Sequence, residues 1–111
     1  MRAANITVDI YECSVELHIF NTENEIKDFA ISLCKKYKLD SSIIVDASGW
    51  TIKGLNKYFI LLHNYQICNT FFHELFHTTN RICNDRGIHN EEAKCWLHGY
   101  LGEKLIKFIN T

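Results

Sequence analysis

The sequence predicts an α+β domain: a small, mainly antiparallel sheet with three helices. Apolar and polar residues alternate through the N-terminal segment, which is strand periodicity, whereas three later stretches repeat at helical spacing. Their order is strands, helix, strands, helix, helix, which fits an α+β chain. A length of 111 residues suits one compact domain over 1–111.

The elements follow in order. Ile6, Val8 and Ile10 share one face, and Val15, Leu17 and Ile19 repeat the pattern after Glu12-Cys13-Ser14. This reads as a hairpin or one bent strand. Thr22 and Glu25 form a T-x-x-E capping box. Behind it Ile26, Phe29, Ala30, Leu33, Cys34 and Tyr37 recur at helical spacing, and Lys35, Lys36 and Lys38 suit a helix C-terminus, so a helix is predicted over about 23–38. Residues 43–46 read as a strand, Ser48-Gly49 as a turn, Trp50 to Lys53 as a returning strand, and Gly54-Leu55-Asn56 as a second turn. Tyr58 to His63 is a further strand, rich in aromatic and branched residues. From Cys68 the period becomes helical, with Phe72, Leu75, Phe76, Thr79 and Cys83 on one face and Gly87 suited to a left-handed cap. Asn90 is the expected N-cap of a last helix, with Ala93, Trp96, Leu97, Tyr100, Leu101 and Leu105 as its apolar stripe.

Composition excludes several functions. A formal charge of −1 gives no general attraction to nucleic acid or to an anionic membrane, so neither is expected as a partner. No apolar run is long enough to span a bilayer. Five cysteines, Cys13, Cys34, Cys68, Cys83 and Cys95, form no C-x-x-C pair. Without an export signal they read as reduced, mostly buried side chains of a cytoplasmic protein.

The chemistry concentrates at His73-Glu74-Leu75-Phe76-His77, an H-E-x-x-H pattern inside the predicted helix. Residues i and i+4 lie above one another on a helix, so both imidazoles can reach one tetrahedral zinc ion. Glu74 projects to the side of that pair, where it can accept a proton from water activated by the metal. The third ligand has several candidates. Cys83 stands six residues after His77 with Asn80 midway, although it also fits the apolar stripe. Glu91 and Glu92 open the last helix; Glu92 leads into the stripe of Trp96 and Tyr100, whereas Glu91 precedes the more polar Lys94 and His98. Glu92 is favoured and Glu91 is the alternative; both also suit the positive end of a helix dipole. His89, in the loop before that helix, is a candidate transition-state stabiliser for an oxyanion.

The stretch from Tyr58 to Leu101 resembles the compact gluzincins of phages and prophages, which are related in plan to the ImmA/IrrE-like metallopeptidases. The strand Tyr58-Phe-Ile-Leu-Leu-His63, the segment Thr70-Phe-Phe-His-Glu-Leu-Phe-His77, Arg86-Gly-Ile88 and the helix Glu91-Glu-Ala-Lys-Cys-Trp-Leu-His-Gly-Tyr-Leu101 carry the resemblance. It implies a zincin-like fold, Zn2+ held by His73, His77 and a glutamate matching Glu92, and Glu74 as catalytic base. It further implies zinc-dependent hydrolysis of a peptide or protein substrate, with the edge of the sheet at strand 58–63 holding an extended peptide. The alternative is a weak or inactive zinc-binding domain of a mobile element that acts by binding a host or phage protein.

Overall fold

A computed structural model of the chain describes residues 2–39, 49–54, 56–64 and 69–111. The expected strand at 43–46, together with Ser48 and Leu55 of the two expected turns and Cys68, lies outside the described residues. Strand β1 (Arg2–Val8) ends in a single 3-10 turn, Asp9–Tyr11, and Glu12 takes a left-handed conformation that returns the chain into β2 (Cys13–Phe20). Ile10 therefore leaves the alternation expected of it and is exposed. Helix α1 (Glu23–Tyr37) starts where the capping box places it: Thr22 Oγ1 accepts from the Glu25 backbone N–H. Strands β3 (Gly49–Lys53) and β4 (Lys57–His63) follow, then α2 (Asn69–Asp85) and α3 (Glu91–Ile109). Gly87, at φ +66°, follows α2, and Asn90 caps α3 by accepting from Ala93 N–H.

The sheet order is β1-β2-β4-β3. The pairs β1–β2 and β3–β4 are antiparallel, but the central pair β2–β4 is parallel, so the sheet is mixed and not a simple meander. A parallel pair needs a long crossover, and α1 lies within the connection from β2 to β4. Strand β4 is thus interior, which corrects its expected place at the sheet edge; among the described residues the edges are β1 and β3. The physical reason is legible in Tyr58 to Leu62, a run buried on both faces, as strands packed on both sides are.

One face of the sheet packs Phe20, Ile52, Phe59 and Leu61 against Ile26, Ala30 and Leu33 of α1. The other packs Val15, Leu17, Ile19, Tyr58, Ile60 and Leu62 against Phe71, Leu75 and Ile82 of α2 and Leu97, Leu101 and Leu105 of α3. Gly54, in the β3–β4 turn, leaves room for α1, since a Cβ there would stand 2.7 Å from the Tyr37 ring.

Candidate metal-binding site

The rotation of α2 sets the site. Its buried side is Phe71, Leu75, Thr78, Thr79, Ile82 and Cys83, whereas Phe72 and Phe76 are 47% and 59% exposed. The expected apolar face through Phe72 and Phe76 is therefore turned by about one residue position. The cause is that α2 must satisfy two neighbours, the sheet and α3. Asp85, its last residue, accepts from the Tyr58 hydroxyl and pairs with Lys53 at 3.0 Å, tying the helix end to β3 and β4. Arg86 then donates from Nε to the Tyr11 carbonyl at 2.7 Å. Burial pushes the Asp85 carboxyl up, but the Tyr58 hydroxyl, Lys53 and Arg86 outweigh it and hold the group below its usual range. Burial and the neighbouring Asp85 push the Tyr58 hydroxyl far above its ordinary value.

With the helix so held, His73 and His77 lie on the solvent side. Their ring centroids are 4.6 Å apart and their Nε2 atoms 3.1 Å apart. Without a cation, one ring donates its Nε2–H to the other. Two nitrogens bound to one tetrahedral zinc ion at about 2.0–2.1 Å would stand roughly 3.3 Å apart, so the two sites already converge on that spacing.

Glu74 lies beside them but on the sheet-facing side, and is buried. The Thr51 hydroxyl of β3 donates to its Oε1 at 2.6 Å, the length of a charge-assisted bond. Thr78 Oγ1 donates to the Glu74 backbone carbonyl at 2.9 Å. Arg81 Nη1 donates to the Thr51 carbonyl at 3.1 Å, so one backbone acceptor of edge strand β3 is already satisfied by α2. Thr51 has no motif or local periodicity to mark it in the sequence. Only the docking of α2 on β3 gives it a role.

Glu91 and Glu92 are exposed in the first turn of α3, and His89 is exposed in the loop before it. The stripe that α3 buries is Leu97, Leu101, Leu105 and Ile109. Trp96 is 50% exposed and meets Tyr11 edge-on at 6.4 Å, while the Tyr100 hydroxyl donates to the Thr7 carbonyl at 3.1 Å. The face that Glu92 shares with Trp96 and Tyr100 therefore turns toward β1 and the 3-10 turn, not inward as expected from the pattern. Among the described residues, no three His, Cys, Asp or Glu side chains stand close enough to hold one ion. The structure brings together His73, His77 and, through Thr51, the position of Glu74; it does not bring Glu91, Glu92 or His89 to them.

Cys83, the remaining candidate ligand, and three further histidines have structural duties. Cys83 is fully buried in a continuous helix, and burial raises its thiol pKa. Thr79 Oγ1 donates to the Leu75 carbonyl at 3.0 Å, so at 3.0 Å from the same oxygen His98 Nδ1 is the donor. His63 Nε2 donates to the Asn21 carbonyl at 2.9 Å. His18 packs its ring at 4.6 Å from Phe29 under α1, with a buried Nδ1 that meets no partner among the described residues. No helix among the described residues is long and apolar enough to cross a membrane. Comparison with known proteins found no matching family model, no matching curated protein and no matching solved structure.

Proposed function

We propose that the chain is a minimal, zincin-like metal-dependent hydrolase of peptide bonds, with His73 and His77 as the metal-holding pair and Glu74 as the base. The observation that supports this reading most directly is the convergence of the two Nε2 atoms, 3.1 Å apart on an exposed helix face. A zinc ion held there would supply Lewis acidity toward a scissile carbonyl and toward water. The pair fits two positions of such an ion; Glu92, with Glu91 as the alternative, is the proposed third ligand, which requires the start of α3 to move toward α2.

The chain's own residues would divide the remaining work. Thr51 holds Oε1 of Glu74, so the carboxylate is fixed in orientation and Oε2 is the atom that takes the proton from the attacking water. Leu75 and Ile82 anchor the helix in the core, so the histidine pair sits on a rigid element. His89, exposed before α3, is the proposed donor to a developing oxyanion.

One observation favours a second reading. Glu74 is committed to Thr51, and no acidic side chain among the described residues completes a cage, which suits a metal-holding domain that acts by binding a partner protein. The test is elemental analysis of purified protein followed by digestion of a peptide mixture read by mass spectrometry. The hydrolase reading expects zinc in the wild type, its loss in His73→Ala and His77→Ala, and new peptide termini that vanish in Glu74→Gln although zinc remains. Zinc retention with no cleavage by the wild type selects the binding reading. In monomeric protein, Glu92→Ala should weaken zinc retention more than Glu91→Ala.

A further inference from the structure

We propose that the exposed face of α2 joins two copies of this chain through a single zinc-class ion held by His73 and His77 of each copy. The inference rests on the reading of these histidines as the metal-holding pair, and adds a partner and a mode of regulation to it.

Coordination number makes the first case. A closed tetrahedral site takes four protein donors. One chain presents two converging imidazole nitrogens, and no third His, Cys, Asp or Glu joins them among the described residues. A two-fold axis doubles whatever patch it passes through, so two donors become four without any rearrangement of α3.

The surroundings of the pair fit the same contact. Phe72 and Phe76, one position before each histidine, are 47% and 59% exposed, and together the four residues form one block over about one and a half turns of helix. Two large apolar rings on an exposed helix beside two metal donors suit a surface that becomes covered. The charged side chains of α2 lie outside this block: Glu74 is buried on Thr51, Arg81, one turn past His77, directs its guanidinium to the Thr51 carbonyl of β3 and keeps its charge, and Asp85 is paired with Lys53. Phe72, His73, Phe76 and His77 themselves include no carboxylate, ammonium or guanidinium, so this block can meet its copy without like-charge repulsion between its own side chains.

Area decides that the contact depends on metal. A Phe side chain covers about 200 Å², so the half-exposed rings of two copies supply roughly 400 Å², far below the ~1,200 Å² of a standard stable interface. The patch alone therefore leaves the chain monomeric, and the ion makes the difference. Four imidazoles on one ion also leave no open position for substrate, so the dimer is the resting form and its dissociation exposes the hydrolytic site.

The experiment is sedimentation velocity on the whole chain at tens of micromolar, first in chelator and then with stepwise Zn2+, with bound zinc counted in the same samples. The expected result is a monomer in chelator, twice the mass with zinc, and a plateau at one zinc per two chains. His73→Ala and His77→Ala, both surface changes whose folding is checked by circular dichroism, should stay monomeric with zinc. Phe76→Ser should raise the concentration needed for dimerisation several-fold. A monomer binding one zinc per chain overturns the proposal while leaving the metal-holding pair intact. A dimer equally stable in chelator overturns it too. No zinc uptake by a folded chain overturns both this proposal and the reading beneath it.

Discussion

Replacing Thr51 by Val removes one hydroxyl and keeps the branched shape that suits strand β3. The loss is the 2.6 Å bond from Thr51 Oγ1 to Glu74 Oε1, with Glu74 buried against the sheet. A hydrogen bond to a charged acceptor contributes about 1.5–3 kcal/mol, and Thr-to-Val is not a neutral swap where the hydroxyl is used. We therefore expect Thr51→Val to destabilise the fold by about 2 kcal/mol. In urea, where a protein of this size loses on the order of 1.5 kcal/mol per molar denaturant, the midpoint should fall by about 1 M. Thr51→Ser should recover most of the difference, since it restores the donor. A double-mutant cycle with Glu74→Ala isolates the pairwise part, expected to be about 1–2 kcal/mol. A Thr51→Val midpoint within 0.3 M (about 0.5 kcal/mol) of wild type, or strictly additive single mutants, would refute the claim that Thr51 positions Glu74.

Other outcomes follow from the same geometry. Asp85 is held below its ordinary pKa, so its contribution to stability is complete above the unfolded value near ~3.9 and is lost as the pH falls through the lower folded value. Tyr58→Phe should raise Asp85 toward its unfolded value and flatten the acid limb of a stability–pH curve; an unchanged limb would contradict the pairing. Tyr58 itself is raised, so its contribution is complete below the ordinary tyrosine value of about 10 and lost only at higher pH, and one phenol should resist titration when absorbance is followed through pH 10. Gly54→Ala forces a Cβ to 2.7 Å from the Tyr37 ring and should cost about 1–3 kcal/mol by thermal melting, whereas Tyr37→Ala in the same chain should relieve the clash. Leu75→Ala, at a fully packed site between the sheet and α3, should cost about 2–5 kcal/mol and loosen the histidine pair with it.

Much of the fold was written locally. Thr22, Asn90 and Gly87 mark helix ends because capping uses atoms within a few residues of each other, and each is found in that role. The periodicity of Ile26, Ala30 and Leu33 identified the buried side of α1 for the same reason. The spacing of His73 and His77 likewise needed only a helix to bring their rings together.

Nonlocal choices were not written that way. A strand's hydrogen-bonding groups are alike along its length, so nothing in Tyr58 to His63 names β2 as its parallel partner; only the unbroken apolar run hinted at an interior position. The rotation of α2 and α3 depended on packing against two neighbours at once. That competition left Phe72, Phe76 and Trp96 in solvent although each suits an apolar stripe. The sequence by itself determined the helices, the caps at Thr22, Gly87 and Asn90, and the histidine pair, because those interactions close within one helical turn. The tertiary structure decided what surrounds the pair, because contacts such as Thr51 with Glu74 join residues whose meeting depends on how whole elements dock.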